Sequence, residues 1–262
     1  MENKRQIQAI PAFEDNYIWL LTSADNRACA VVDPGDEEPV IAKLESLDLE
    51  LAAILITHKH YDHVGGLAAL KARWPQAVVF GPGNEGIQGL DVTVTDKDQL
   101  SVPGLAWDFE VLSVPGHTED HVAYYDGAHL FCGDTLFAGG CGRVFSGTFE
   151  QMTASLRKIR QLPAETLVFC AHEYTTANLG FAVWVEPDNQ QLLQRRQQVD
   201  KARQLQQATV PSRLAEERQT NPFLRVDQAS VMAAASHWAG QALEGDVAVF
   251  TALRQWKDRD YD

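Results

Sequence analysis

Residues 51–66 read Leu51-Ala52-Ala53-Ile54-Leu55-Ile56-Thr57-His58-Lys59-His60-Tyr61-Asp62-His63-Val64-Gly65-Gly66. The apolar run at 51–56 is too short for a helix, ends in Ile-Leu-Ile and stops where polarity begins, so it reads as a buried strand. His58, His60, Asp62 and His63 then fall on a loop at the strand's carboxyl end, where α/β sheets usually carry function. His58 and His60 are two apart and point the same way on an extended backbone, whereas the neighbours Asp62 and His63 diverge. One segment can therefore serve two metals. Three of the chain's eight histidines are here, which argues against an incidental His-rich surface loop.

The 262 residues allow one large α/β domain or a domain with an appendage. The start, Met1 to Gln8, is charged and has no apolar core of a signal peptide, and no long apolar run appears further along the chain. Cys29, Cys132, Cys141 and Cys170 are scattered without a C-x-x-C pair, which fits neither a disulfide framework nor a thiolate metal site and points to a reducing cytoplasm. The formal net charge is -14, and residues 1–172 carry most of it, with 12 Lys and Arg against 24 Asp and Glu. Nucleic acid and anionic membranes need a positive footprint and are excluded as partners. An anionic small substrate then requires locally placed cations.

From the amino end, residues 6–10, 17–22 and 29–32 read as short strands, broken at Pro11 with Asp15-Asn16 and at Asp25-Asn26. A helix is expected over 38–47, with Val40, Ile41, Leu44 and Leu47 on one face, and another from Gly65-Gly66 to about Arg73, closed by Trp74-Pro75. Short strands are expected near 78–80 and 92–94. Residues 105–173 repeat the scheme: 109–114 leads into His117, 121–125 and 129–132 lead into Asp134, and a helix at about 150–161 precedes a strand at 166–170 that runs into His172. This predicts two sheet-plus-helix halves stacked face to face, with ligand loops along one edge. Beyond His172 the composition shifts. Residues 190–207 hold eight glutamines and read as a long polar helix, 209–212 and 220–222 as turns, and 227–242 and 246–256 as helices. The expected division is 1–173 for a catalytic domain and 174–262 for a small helical domain.

The candidate ligands are thus His58, His60, Asp62, His63, His117, Asp134 and His172. One tetrahedral site uses about three or four protein ligands, so seven predict two metals. A lone loop histidine such as His117, or a turn aspartate such as Asp134, is ordinarily incidental; membership of a matching set is what raises them to ligands. His121, His129 and His237 are left outside the set, His121 as a candidate support behind a ligand. The glycines at 139, 140 and 142 lack the pattern of a phosphate cradle and read as a close-approach loop.

The pattern His58-x-His60-x-Asp62-His63 with His117, Asp134 and His172 resembles the metallo-β-lactamase superfamily, which implies a four-layer αβ/βα sandwich with a dinuclear site. Within it, Ala138-Gly139-Gly140-Cys141-Gly142-Arg143, His172-Glu173-Tyr174-Thr175, Thr220-Asn221-Pro222-Phe223-Leu224-Arg225 and Arg254-x-x-Lys257 resemble type II glyoxalases, the hydroxyacylglutathione hydrolases, over nearly the whole chain. The resemblance implies His58, His60 and His117 on one metal, Asp62, His63 and His172 on the other, and Asp134 bridging. It implies Asp62 and Asp134 as catalytic residues, with Asp62 orienting a bridging hydroxide. Arg143, Phe145, Tyr174, Arg254 and Lys257 would surround glutathione. Some relatives carry Lys and Tyr where this chain has Arg143 and Phe145; Arg keeps the cation, while Phe145 removes a hydroxyl.

The function implied is hydrolysis of S-D-lactoylglutathione to glutathione and D-lactate by a monomer in the cytoplasm, using two divalent ions, zinc first, with iron or manganese as alternatives. A thiol's reference pKa of about 8.5 means the leaving thiolate needs little protonation, in keeping with the lack of an obvious general acid. Two other readings stand beside it. A mononuclear-iron glutathione persulfide dioxygenase of the same fold leaves Arg254 and Lys257 unexplained. A non-catalytic metal-binding module predicts metal uptake without turnover.

Overall fold

The computed structural model describes residues 5–23, 27–83 and 86–261; the first four residues of the charged start and the break expected at Asp25-Asn26 lie outside them. The chain divides into two compact units, Met1–Ser113 with Asp120–Gly133, and Val114–Glu119 with Asp134–Asp262.

In the first unit, β1 (Arg5–Ala12), β2 (Asn16–Ser23) and β3 (Ala28–Val32) pair antiparallel, and β4 (Glu50–Leu55), β5 (Val78–Pro82) and β6 (Val92–Val94) continue the sheet in parallel. The parallel strands need crossovers. Helix α1 (Glu37–Leu47) joins β3 to β4, and α2 (Tyr61–Val64) with α3 (Leu67–Arg73) lies between β4 and β5. The Asp36 carboxylate caps α1 by accepting the Glu38 N–H at 3.0 Å, Glu37 and Glu38 complement the positive end, and Asp48 closes the helix in the left-handed region at φ 54°. Val40 and Leu44 of α1, and Leu67 and Leu70 of α3, share one core with Val31, Leu51, Ile54, Ile56 and Val79.

The same unit holds β7 (Gln99–Ser101), β8 (Asp108–Ser113), β9 (Val122–Tyr125) and β10 (His129–Gly133), paired antiparallel in sequence order. Trp107 stacks on Phe109 at 5.8 Å, and Phe109 meets Phe131 edge-on at 5.9 Å. Polar tips reach the first sheet: Trp107 Nε1 donates to Thr22 O at 3.2 Å, and Tyr124 Oη donates to Ile56 O at 2.8 Å. Losing a ring this buried costs about 3–5 kcal/mol.

The second unit comprises the hairpin β11 (Leu136–Phe137) and β12 (Gly140–Cys141), α4 (Phe149–Arg160), β13 (Leu167–Cys170), α5 (Thr175–Val185), α6 (Gln190–Gln204), β14 (Ser212–Arg213), α7 (Leu214–Thr220), α8 (Ala229–Ala239) and α9 (Asp246–Trp256). A 3-10 turn spans Pro222–Leu224, and a π turn, Lys257–Tyr261, prolongs α9. A reciprocal capping box between Thr148 and Gln151 starts α4. α5 and α6 share a core of Leu179, Ala182, Leu192 and Val199. Phe181, Phe223 and Phe250 pack ring to ring around the base of α9.

Four local expectations change. Pro11, expected to break the first strand, lies within β1 opposite Tyr17, on an edge strand where a missing N–H is tolerated. The loop after β4 contains a helical turn, α2, in which Asp62 and His63 converge instead of diverging: successive side chains there lie about 100° apart, against about 180° on a strand. Part of 209–212, expected as a turn, enters β14, where Ser212 stands opposite Val168. Helix α8 is shorter than 227–242, because Gly240 at φ 69° ends it. Among the described residues no helix is long and apolar enough to cross a membrane.

Candidate metal-ligand clusters and substrate cavity

In the first unit, buried β4 delivers Thr57 and His58 to its carboxyl end. The buried Asp33 carboxylate, at φ 53° in the turn after β3, organises the ligand loop. It accepts the Thr57 N–H and Thr57 Oγ1–H, both at 2.7 Å, and lies 3.0 Å from His63 Nδ1. A carboxylate can only accept, so His63 carries its proton on Nδ1 and presents a lone pair at Nε2. That lone pair lies 3.3 Å from Asp62 Oδ2, whose position is held by the Asn16 amide at 3.0 Å. His58 Nε2 and His60 Nδ1 approach to 3.0 Å, and the His121 ring stacks on His58 at 4.6 Å. Two glycines permit this crowding: a Cβ at Gly35 would overlap the Asp62 carbonyl, and one at Gly133 (φ 45°) would strike Thr57 Oγ1 and the His121 ring. Burial, then the Asp33 charge, pushes the Tyr124 hydroxyl far above its usual pKa, so it remains a donor to Ile56 O.

The second unit brings together His117, Asp134 and His172. Asp134 Oδ2 is 3.5 Å from His117 Nε2, and its Oδ1 is 3.4 Å from His172 Nε2. His117 Nδ1 donates to Arg143 O at 2.7 Å, which again leaves the lone pair on Nε2 facing a carboxylate oxygen. In both units a lone pair thus opposes a carboxylate oxygen, an arrangement that repels unless a cation or a further proton lies between. An imidazole and carboxylate donor set suits a divalent transition ion. The thiols are unsuited: burial raises Cys29 and Cys170 to about 12 and Cys141 to about 11, and among the described residues none forms a disulfide. His129 stands apart, 2.9 Å from Asp126 Oδ2.

A cavity of about 400 Å³ in the second unit is lined by His117 and Asp134 together with Phe137, Cys141, Asn178 and all five expected substrate contacts, Arg143, Phe145, Tyr174, Arg254 and Lys257. Tyr174 stacks on His172 at 4.6 Å, and Phe145 meets His117 edge-on at 5.2 Å while 63% exposed. Arg254 is buried; its Nη1 donates to Cys141 O at 3.0 Å, its Nη2 to Asp258 Oδ1 at 2.8 Å, and its guanidinium lies over Phe223. The 139–142 glycines form a close-approach loop: a Cβ at Gly142 would collide with the Asp134 carbonyl and sit 3.0 Å from His117 Nδ1.

Sequence reasoning missed Asp33, Thr57 and the buried polar network behind this loop. Glu217 accepts the Gly139 N–H at 2.8 Å and pairs with buried Arg195, while Asn221 Nδ2 donates to Phe137 O at 3.2 Å and Gly140 O at 2.9 Å. A buried arginine on the polar helix α6 and an aspartate before Pro-Gly are signals only in retrospect, because each meets its partners far along the chain.

Comparison with known proteins finds the metallo-beta-lactamase superfamily model over residues 13–172 and the model of the hydroxyacylglutathione hydrolase C-terminus over residues 173–260. The hydroxyacylglutathione hydrolase of Alkalilimnicola ehrlichii is 54% identical over 254 residues, covering 97% of this chain and 99% of that protein. Among solved structures, ETHE1 from Myxococcus xanthus superposes with a TM-score of 0.64 at 26% identity over 97% of both chains. The structure of TTHA1623 in a di-iron-bound form gives 0.59 at 25% identity, covering 84% of this chain and 100% of that one.

Proposed function

Since the chain belongs to the hydroxyacylglutathione hydrolase family and has the α/β sandwich fold of the metallo-beta-lactamase superfamily, we infer that it hydrolyses S-D-lactoylglutathione to glutathione and D-lactate. The observation that carries this reading is the cavity of the second unit, where two candidate metal ligands and three cations line one wall system. The substrate's glutathione moiety carries two carboxylates, and a chain of net charge -14 needs such local cations to capture it.

We propose that His58, His60 and His117 hold one divalent ion, that Asp62, His63 and His172 hold the other, and that Asp134 bridges them. Zinc is the first choice, with iron or manganese as alternatives. When bound, such ions lower the pKa of water towards about 7 and polarise a carbonyl. The chain's own groups do the rest. Asp33 and the Arg143 carbonyl set the tautomers of His63 and His117, so that each presents Nε2. Asp62, steadied by Asn16, orients the attacking water. Arg143, Tyr174, Arg254 and Lys257 hold the glutathione end, with Phe145 offering an apolar face. The thiolate leaves without a dedicated acid, its reference pKa being about 8.5.

Residues 1–173 form the catalytic domain in this reading and 174–262 the substrate-binding one, acting as a monomer in the cytoplasm. The test is thioester hydrolysis by the metal-loaded protein with and without a chelator. Turnover should disappear with the metal and return with it. A protein that binds metal but hydrolyses no glutathione thioester would overturn the reading.

A further inference from the structure

The cations of the cavity carry a resident anion. Asp258 Oδ1 accepts from Arg254 Nη2 at 2.8 Å and lies 3.5 Å from Arg143 Nε, so one carboxylate oxygen joins guanidinium groups from two distant segments. Arg254 is 1% exposed, whereas the Asp258 side chain is 36% exposed. Asp258 sits in the π turn Lys257–Tyr261, a geometry that is rare in helices and concentrated at functional sites. Its charge also reaches the Cys141 thiol in the cavity wall, where burial raises the pKa, Arg254 and Lys257 lower it, and Asp258 opposes both cations.

A guanidinium as buried as Arg254 is costly without a counter-charge, and the fold supplies one from the same helix four residues on. The contacts Asp258 makes are those an incoming carboxylate would make with the same two arginines. We propose that Asp258 is a built-in competitor for the ligand's carboxylate: it holds Arg254 and Arg143 in register before a ligand arrives and weakens the binding of anionic ligands there. This rests on the reading of the substrate as a glutathione thioester. Substrate and product share the glutathione moiety, so the penalty falls on both, and it limits retention of the product.

The test uses the metal-loaded protein and its Asp258→Asn variant, which keeps an acceptor for Arg254 but removes the charge. Calorimetric titration with glutathione should give a Kd about three- to ten-fold lower in the variant, the size of one screened charge pair. The carboxylate placed on Arg254 and Arg143 in this proposal is that of the glycine end, so with the analogue in which it is capped as a carboxamide the shift should stay below about two-fold, since the pair is absent. Asp258→Ser, a second neutral variant, should reproduce the gain, and KM for S-lactoylglutathione should fall in step. Unchanged or weaker glutathione binding in both variants overturns the proposal, as does equal tightening for the capped analogue. If the unaltered protein neither binds glutathione nor hydrolyses its thioester, the functional reading falls and the proposal with it; binding and turnover without a variant effect sink the proposal alone.

Discussion

Replacing Asp33 by Asn separates the role of a ligand's support from that of a fold contact. The carboxylate accepts from Thr57 N, Thr57 Oγ1 and His63 Nδ1 while 4% exposed. An Asn oxygen can still accept the Thr57 N–H, and its amide can donate to Thr57 Oγ1 or His63 Nδ1. A donor at His63 Nδ1 forces the ring proton onto Nε2, the atom proposed to bind metal. Loss of such support typically costs ten- to a hundred-fold in metal affinity, or about 1.4–2.8 kcal/mol. Exchange of a charged acceptor for a neutral one should cost the metal-free fold about 1–2 kcal/mol. Competition with a chelator of known affinity measures the first quantity, and thermal melting of the metal-free protein the second. A variant that melts lower yet holds both ions as tightly as the unaltered protein would show that Asp33 supports only the fold.

Asp134→Ala should release metal and abolish turnover together, because both proposed ions lose a shared ligand; elemental analysis beside the thioester assay checks this. Changing both Arg254 and Lys257 to Ala should raise KM by about ten-fold, or about 1.4 kcal/mol, with bound metal unchanged; steady-state kinetics showing no change would refute their role in holding the glutathione end. Glu186 gives a pH-dependent outcome. Burial alone would raise its carboxyl pKa, but hydrogen bonds from Arg225 and Ser230 hold it below the usual range. A depressed folded-state pKa means the contribution is complete above the unfolded value and is lost as pH falls through the folded one. Glu186→Gln should therefore cost about 1–3 kcal/mol near neutrality and progressively less in acid, by denaturant unfolding across pH.

The strand at 51–56, the polar residues after it and the helix at 246–256 were legible because each rests on local pattern: an apolar run, His spacing and a clean helical period. The turn α2 was not, since four residues carry no period, and its geometry depends on Gly35 clearing space for the Asp62 carbonyl. Helix α5 was not singled out, because Leu179, Gly180, Phe181 and Ala182 bury successive faces and leave no polar stripe to mark a surface. Asp33, directly before Pro34-Gly35, carries no local signal beyond that of a turn former. Its importance comes from partners 24 and 30 residues away. The buried pairing of Arg195 with Glu217 is hidden for the same reason, inside a mostly polar helix whose few apolar residues, Leu192 and Val199 among them, give no sign that an arginine is buried beside them.

Cys141 lines a cavity proposed to receive a thioester and release a thiol, and this creates a hazard of self-acylation. An ionised thiol there would compete with water for the acyl group by exchange, trapping the chain as its own thioester. Burial raises the Cys141 pKa to about 11, against the pull of Arg254 and Lys257. At neutral pH only about one thiol in ten thousand is ionised, against a few per cent for an ordinary cysteine. The burial that places Cys141 in the cavity wall thus keeps its thiol silent, and an alkaline shift or a polar substitution beside Cys141 would give it a voice.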